Sequence, residues 1–180
     1  MIAADGEAAD RRMAADDAYG AARSSIVRIA QEQGAQVRER PLWPGAQITM
    51  RYAEPLAGIR AATTLQHAAQ RAARDYIRLA REDKASWQEI GDALGLAAEG
   101  EREGYDLAVA AYEHVIGKPD PWHQPGFGWT CTGCGRSIFD RGPYDSHPED
   151  NEHGHGEACP HMAALVAAWQ AERDTWETEQ

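Results

Sequence analysis

Large apolar side chains are scarce in this chain. Its 180 residues include two Phe, four Met and three Cys, and Ile and Val are few, which leaves little material for a large buried sheet. Much of the 43% hydrophobic fraction is alanine, the residue that most favours helix. A mostly α protein is therefore expected. No run approaches the roughly 18 apolar residues that a membrane span needs. The opening MIAADGEAADRR lacks the basic-then-apolar order of a secretory signal, so a cytoplasmic protein with no membrane partner is expected. A positive surplus is also missing. The formal net charge of −11 excludes a protein that coats nucleic acid non-specifically, because phosphate binding needs excess Lys and Arg. The deficit is uneven: residues 59–90 carry six basic and four acidic side chains, 91–120 two and seven, and 131–180 three and ten. Any nucleic-acid face must be local, and the C-terminal third is a poor place for it.

Five segments follow from the pattern of breakers and apolar spacing. Residues 1–36 hold an Ala/Asp/Arg stretch expected to fray over 1–15, then a helix from about Asp16 to Gln33 that stops at Gly34. Residues 37–58, with Pro41, Pro44, Gly45, Pro55 and Gly58 around Ala46-Gln-Ile-Thr-Met-Arg-Tyr52, form a connector with at most one short strand. Residues 59–116 are helical. Ile59, Ala62, Leu65, Ala69, Ala72, Tyr76 and Leu79 recur at helical spacing up to about Lys84. Ser86 and Glu89 form a capping box for a helix over Trp87–Leu94 that stops at Gly95, and Tyr105–Val115 gives another. Residues 117–128, rich in Pro and Gly, form the linker and domain boundary. Residues 129–180 form a small metal-binding domain with a closing helix, one face of which carries Met162, Leu165, Val166, Trp169 and Trp176.

The three cysteines lie between positions 131 and 159. An odd number in a reducing compartment points to metal rather than disulfides. Cys131-Thr-Gly-Cys134-Gly135 has the form of a zinc knuckle, a turn that aims two sulfurs inward and bonds them with backbone N–H groups. A second cluster, His153-Gly-His155-Gly-Glu-Ala-Cys159-Pro160-His161, precedes a helix whose first residue is Pro160. Thiolate is stabilised at such a helix start. Cys131, Cys134, His155 and Cys159 form the preferred zinc shell, with His153 or His161 as replacements for His155. All four ligands lie in the loops and helix start with no position left open for water, so one structural zinc per chain is expected. Residues 129–160 have few apolar anchors beyond Trp129, Ile138, Phe139 and Tyr144, and the metal is expected to fold them. Haem attachment would require histidine at Gly135, and a thioredoxin-type pair a preceding βα unit. Asp145, His147, Asn151 and His153 supply the residue types of an HNH nuclease, but their order is wrong and a second C-x2-C is missing.

Ala85-Ser-Trp-Gln-Glu-Ile-Gly-Asp-Ala-Leu-Gly-Leu96 resembles the opening of a bacterial helix-turn-helix: Ile90 and Leu94 pack the first helix, Gly91 allows the helices to cross, and Gly95 makes the turn. The second half departs from that pattern. Glu101 and Gly104 stand where a recognition helix needs apolar residues, and Glu99, Glu101 and Glu103 would meet phosphate with the wrong sign. Arg71, Arg74, Arg78 and Arg81, at three- and four-residue spacing on the preceding helix, are the candidate DNA-backbone contacts. They can equally be a solvated face pairing with Asp75 and Glu82.

The Trp-x2-Ile-Gly-x2-Leu-Gly unit, Ala110-Ala111-Tyr112-Glu113, and Trp129-x-Cys-x2-Cys-Gly-x3-Phe-Asp-Arg-Gly-Pro-Tyr144 through Gly154-His155-x3-Cys159 together resemble uncharacterised zinc-finger and helix-turn-helix proteins of high-GC bacteria. The resemblance covers about residues 65–170. It implies a place among plasmids, integrative elements or phages and a role in regulation or DNA handling. The function expected is a non-enzymatic, zinc-stabilised regulator acting on DNA or a DNA-bound complex; the alternative is an acidic adaptor that binds another protein.

Overall fold

In a computed structural model, residues 2–96, 104–120, 122 and 125–178 are described. Glu99, Glu101 and Glu103 therefore lie outside the described residues, as does the side chain of Trp176. The chain divides into two units, residues 1–72 and 73–180.

The first unit holds α1 (Ile2–Glu32), an antiparallel hairpin of β1 (Val37–Pro41) and β2 (Thr49–Ala53), and the beginning of α2 (Pro55–Glu82). Helix α1 starts at Ile2, far upstream of Asp16. Its Ala-, Asp- and Glu-rich opening contains no proline, and alanine pulls toward helix even without apolar anchors. Residues 37–58 are more ordered than a connector, because their prolines avoid the positions where they would do harm. Pro41 ends β1 opposite Thr49, Pro44 lies in the turn between the strands, and Pro55 is the first residue of α2, where its missing N–H costs nothing. The core here is small: Ala30, Ala57 and Ala61, flanked by Ile26, Ile29, Ala35 and Ala53.

The second unit contains the end of α2, α3 (Trp87–Ala93), α4 (Gly104–Ile116), β3 (Phe127–Thr130), β4 (Ser137–Asp140), α5 (Pro148–Asn151), β5 (Glu152–His153) and α6 (Pro160–Thr178). The strands form one antiparallel sheet in the order β3-β4-β5. Helix α2 ends at Glu82, and Lys84 takes a left-handed φ of 72° while Ala85 N–H bonds Ala80 C=O at 2.9 Å. The Ser86–Glu89 capping box opens α3. Gly91 of α3 lets α4 approach closely; a Cβ there would lie 2.8 Å from Leu107 Cδ1.

One core runs through this unit. Ile77, Trp87, Ile90, Leu107, Ala111 and Tyr112 belong to the same buried cluster as Phe127, Trp129, Cys131, Ile138, Cys159 and Met162. The Tyr112 ring meets Trp87 edge-on at 5.0 Å, and its hydroxyl donates to Pro125 C=O at 2.7 Å and lies 3.2 Å from Asp140 C=O. Residues 117–128 are thus no domain boundary. Their end is strand β3, with Phe127 and Trp129 turned inward and Gly128 outward, and the division between units falls within α2. Sharing a core is favoured physically, since neither the short helices nor a sheet of such short strands buries enough apolar surface alone.

Candidate metal centre

The turn between β3 and β4 carries the first two ligands. Cys131 N–H bonds Arg136 C=O at 2.9 Å, Gly135 N–H bonds Cys131 C=O at 2.7 Å, and Gly135 sits at φ 67°, a conformation glycine adopts without steric cost. The loop from β5 to α6 carries the others. Cys159 immediately precedes α6; its C=O accepts from Ala163 N–H at 3.0 Å, and its own N–H bonds Gly156 C=O at 3.0 Å.

These two loops bring Cys131, Cys134, His155 and Cys159 together, with one donor atom from each lying within 4.8 Å of the rest. Cys131 Sγ is 3.7 Å from Cys159 Sγ. His155 Nδ1 is 3.3 Å from Cys159 Sγ and 3.9 Å from Cys134 Sγ. Metal–sulfur bonds of ~2.3 Å in a tetrahedron give sulfur–sulfur edges of about 3.8 Å and sulfur–nitrogen edges of about 3.6 Å. The donors therefore fit a tetrahedral ion in both spacing and chemistry, and these four residues can hold a metal ion. The separation of the thiols is far beyond a disulfide bond, and all three are free. Backbone N–H groups of Gly156 and Arg136 bond the Cys134 sulfur and bring its thiol down to about 6, whereas burial pushes the Cys131 thiol up.

The geometry also distinguishes the histidines. His155 Nε2 lies 3.0 Å from Glu152 Oε2. That contact fixes the proton on Nε2 and leaves the Nδ1 lone pair toward the sulfurs, the usual division of labour in a metal-bound imidazole. His153 Nε2 is 3.0 Å from Asp150 C=O. His161 is buried, with Nε2 3.3 Å from Glu152 Oε2, the oxygen that also faces His155. Burial lowers its pKa, and Glu152 opposes that shift. The nuclease candidates do other work: His147 Nδ1 accepts from Glu149 N–H at 3.3 Å, where α5 begins, and Asn151 exchanges hydrogen bonds with the backbone of Asp145.

Behind His155 stands a charged cluster that the sequence reading missed. Glu152 is 8% exposed, Asp140 1% and Arg81 5%. Arg81 donates through Nε to Asp140 Oδ2 at 3.1 Å, through Nη1 to Ala85 C=O at 2.6 Å, and through Nη2 to Glu152 Oε1. Its guanidinium lies 5.1 Å from the Trp129 ring centre and 5.7 Å from that of Trp87. Asp140 Oδ2 accepts from Trp87 Nε1 at 3.0 Å, and Oδ1 from Gly142 N–H at 2.9 Å. Burial raises the Asp140 pKa, opposed by Arg81.

The four arginines of α2 thus part company. Arg81 is buried, with its guanidinium turned to Asp140, Glu152 and Ala85 C=O, so a DNA-backbone contact there is corrected to a structural role. Arg74 Nη2 bonds Val115 C=O at 2.9 Å. Arg78 pairs with Asp75 at 3.0 Å and reaches Gly128 C=O at 3.3 Å. Arg71 is exposed. Among the described residues no helix is long and apolar enough to cross a membrane. The chain matches no protein-family model, no curated protein and no solved structure.

Proposed function

We propose that residues 73–180 form a non-enzymatic interaction module stabilised by one structural zinc ion on Cys131, Cys134, His155 and Cys159, and that it acts by binding another protein. A three-sulfur, one-imidazole set suits zinc, and with four protein ligands the shell is closed to water and substrate. Zinc supplies folding energy here and no chemistry. His155 takes its orientation from Glu152, and the Gly156 and Arg136 amides hold the Cys134 thiolate.

The observation that carries the choice of partner is the fate of the arginine row. Arg81 is buried on the protein's own carboxylates, Arg74 and Arg78 each bond a backbone carbonyl while staying exposed, and the exposed charges beside the metal loops are mainly acidic, Asp145, Glu149, Asp150 and Glu157 against Arg136. Such a surface repels phosphate and favours a basic protein partner. The DNA-regulator reading keeps one observation in its favour, the close approach of α4 to Gly91 of α3, which a helix-turn-helix would also need.

Titration of a labelled duplex at two salt concentrations separates the two readings. The adaptor predicts no binding even at low salt. Salt-sensitive binding lost in Arg71→Ala would restore the DNA reading. Elemental analysis should find one zinc per chain, lost in Cys159→Ser and His155→Ala and kept in His153→Ala; a folded, metal-free parent would end the zinc reading.

A further inference from the structure

The buried charges form an unbroken path from the metal ligands to α3. His155 Nε2 meets Glu152, Glu152 meets Arg81, Arg81 meets Asp140, and Asp140 accepts the indole N–H of Trp87. Its members come from α2, α3, β4 and β5 and the loop beyond it, and Arg81 is the one cation that reaches both carboxylates among the described residues.

Resting on the zinc reading above, the geometry points to Arg81, Asp140 and Trp87 as positioning residues for the metal centre, acting on His155 through Glu152, so that metal binding and the packing of α3 form one cooperative state. The physical reason is that Glu152 has two tasks. One oxygen must face His155 to hold Nδ1 toward the sulfurs, and it stays there only if the other is held by Arg81. Arg81 in turn is aimed by Asp140, whose carboxylate is locked between Trp87 and Gly142. Outer partners of a ligating histidine typically change metal affinity by about 10–100-fold. Linkage makes the effect reciprocal, so whatever the cluster contributes to holding zinc, zinc contributes to holding α3.

The test uses the full chain. Parent protein is first shown to carry one zinc; failure at this step refutes the zinc reading itself. Zinc affinity is then measured by competition with a chromophoric chelator for the parent, Glu152→Gln, Arg81→Lys and, as a control, exposed Arg71→Ala. Glu152→Gln is expected to weaken zinc binding about 10–100-fold and Arg81→Lys, which keeps the charge but loses the fork, by about tenfold. Arg71→Ala should match the parent. Hydrogen exchange gives the reciprocal readout: chelation should strip protection from the amides of Trp87–Ala93. A purely packing role would lower the unfolding midpoint of the zinc-loaded protein and leave zinc affinity unchanged. Zinc affinity within about twofold of the parent in folded Arg81→Lys, or α3 exchange indifferent to chelation, overturns the inference. If Glu152→Gln does not fold, Arg81→Lys and the exchange data still decide.

Discussion

Arg81→Met puts the two roles assignable to this residue in direct opposition. Methionine fills much of the arginine stem but leaves the Asp140 and Glu152 carboxylates, 1% and 8% exposed, without their shared cation. Removing one partner of a buried ion pair costs about 3–5 kcal/mol. In a unit of this size, residues 73–180, each kcal/mol moves the melting temperature by roughly 4–8 °C, so a fall of about 12–40 °C is expected. Part of the cost can be relieved by protonation. Burial already raises the Asp140 pKa and Arg81 opposes it, so the variant's Asp140 should hold its proton to still higher pH. A carboxyl with a raised folded pKa binds more protons folded than unfolded, so its burden lightens as pH falls from that raised value toward the ordinary ~3.9. The deficit should therefore be larger at pH 7.5 than at pH 5.5. Circular dichroism melts of the zinc-loaded proteins, with exposed Arg71→Met as the reference within about 0.5 kcal/mol of the parent, give the comparison. Arg81→Met melting within a few degrees of Arg71→Met, with both equally impaired in binding a duplex, would refute the buried-cluster reasoning and restore Arg81 to a surface role.

Gly91→Ala would place a methyl 2.8 Å from Leu107 Cδ1 and 3.1 Å from Leu107 C=O; overpacking at this crossing should cost about 1–3 kcal/mol in urea unfolding. Lys84 occupies a left-handed conformation at φ 72°, which costs a residue bearing a Cβ about 1–2 kcal/mol, so Lys84→Gly should raise the urea midpoint despite the entropy of the added glycine. Cys134 has a thiol lowered from 9.0 to about 6. A depressed folded pKa gives stabilisation that is fully present above the unfolded value and is lost as pH falls through the folded one. With zinc bound this sulfur is held as thiolate, so protons compete with the metal as pH falls through about 6, and zinc affinity measured by chelator competition should drop there.

The metal ligands were legible because their spacing is local. A C-x2-C turn and a cysteine before a helix start are short-range patterns, and the candidate shell of Cys131, Cys134, His155 and Cys159 is the one the fold assembles. The spacing of an H-x3-C pair favours His155 over its neighbours, but the carboxylate that orients it, Glu152, is something no spacing rule supplies. Arg81 was misread for a related reason. Periodicity places it on one face with Arg71, Arg74 and Arg78 but says nothing of what that face meets. Its partners Asp140 and Glu152 lie 59 and 71 residues away. Strands β3 and β4 each show an in-out alternation, but over only four residues, too few to stand out beside neighbouring prolines and glycines.

Because Ala57 and Ala61 of α2 serve one core while Ile77 and Arg81 of the same helix serve another, the chain has no natural place to be cut. A fragment starting in the Pro/Gly stretch at 117, where a designer would first divide the sequence, would lose Trp87, Leu107 and Tyr112 from its core together with the cation that neutralises Asp140 and Glu152. A workable C-terminal fragment must begin within α2, no later than about residue 73, so that Ile77 and Arg81 stand in a formed helix. Gene fusions, domain exchanges and shortened expression products of this protein are all subject to the same boundary.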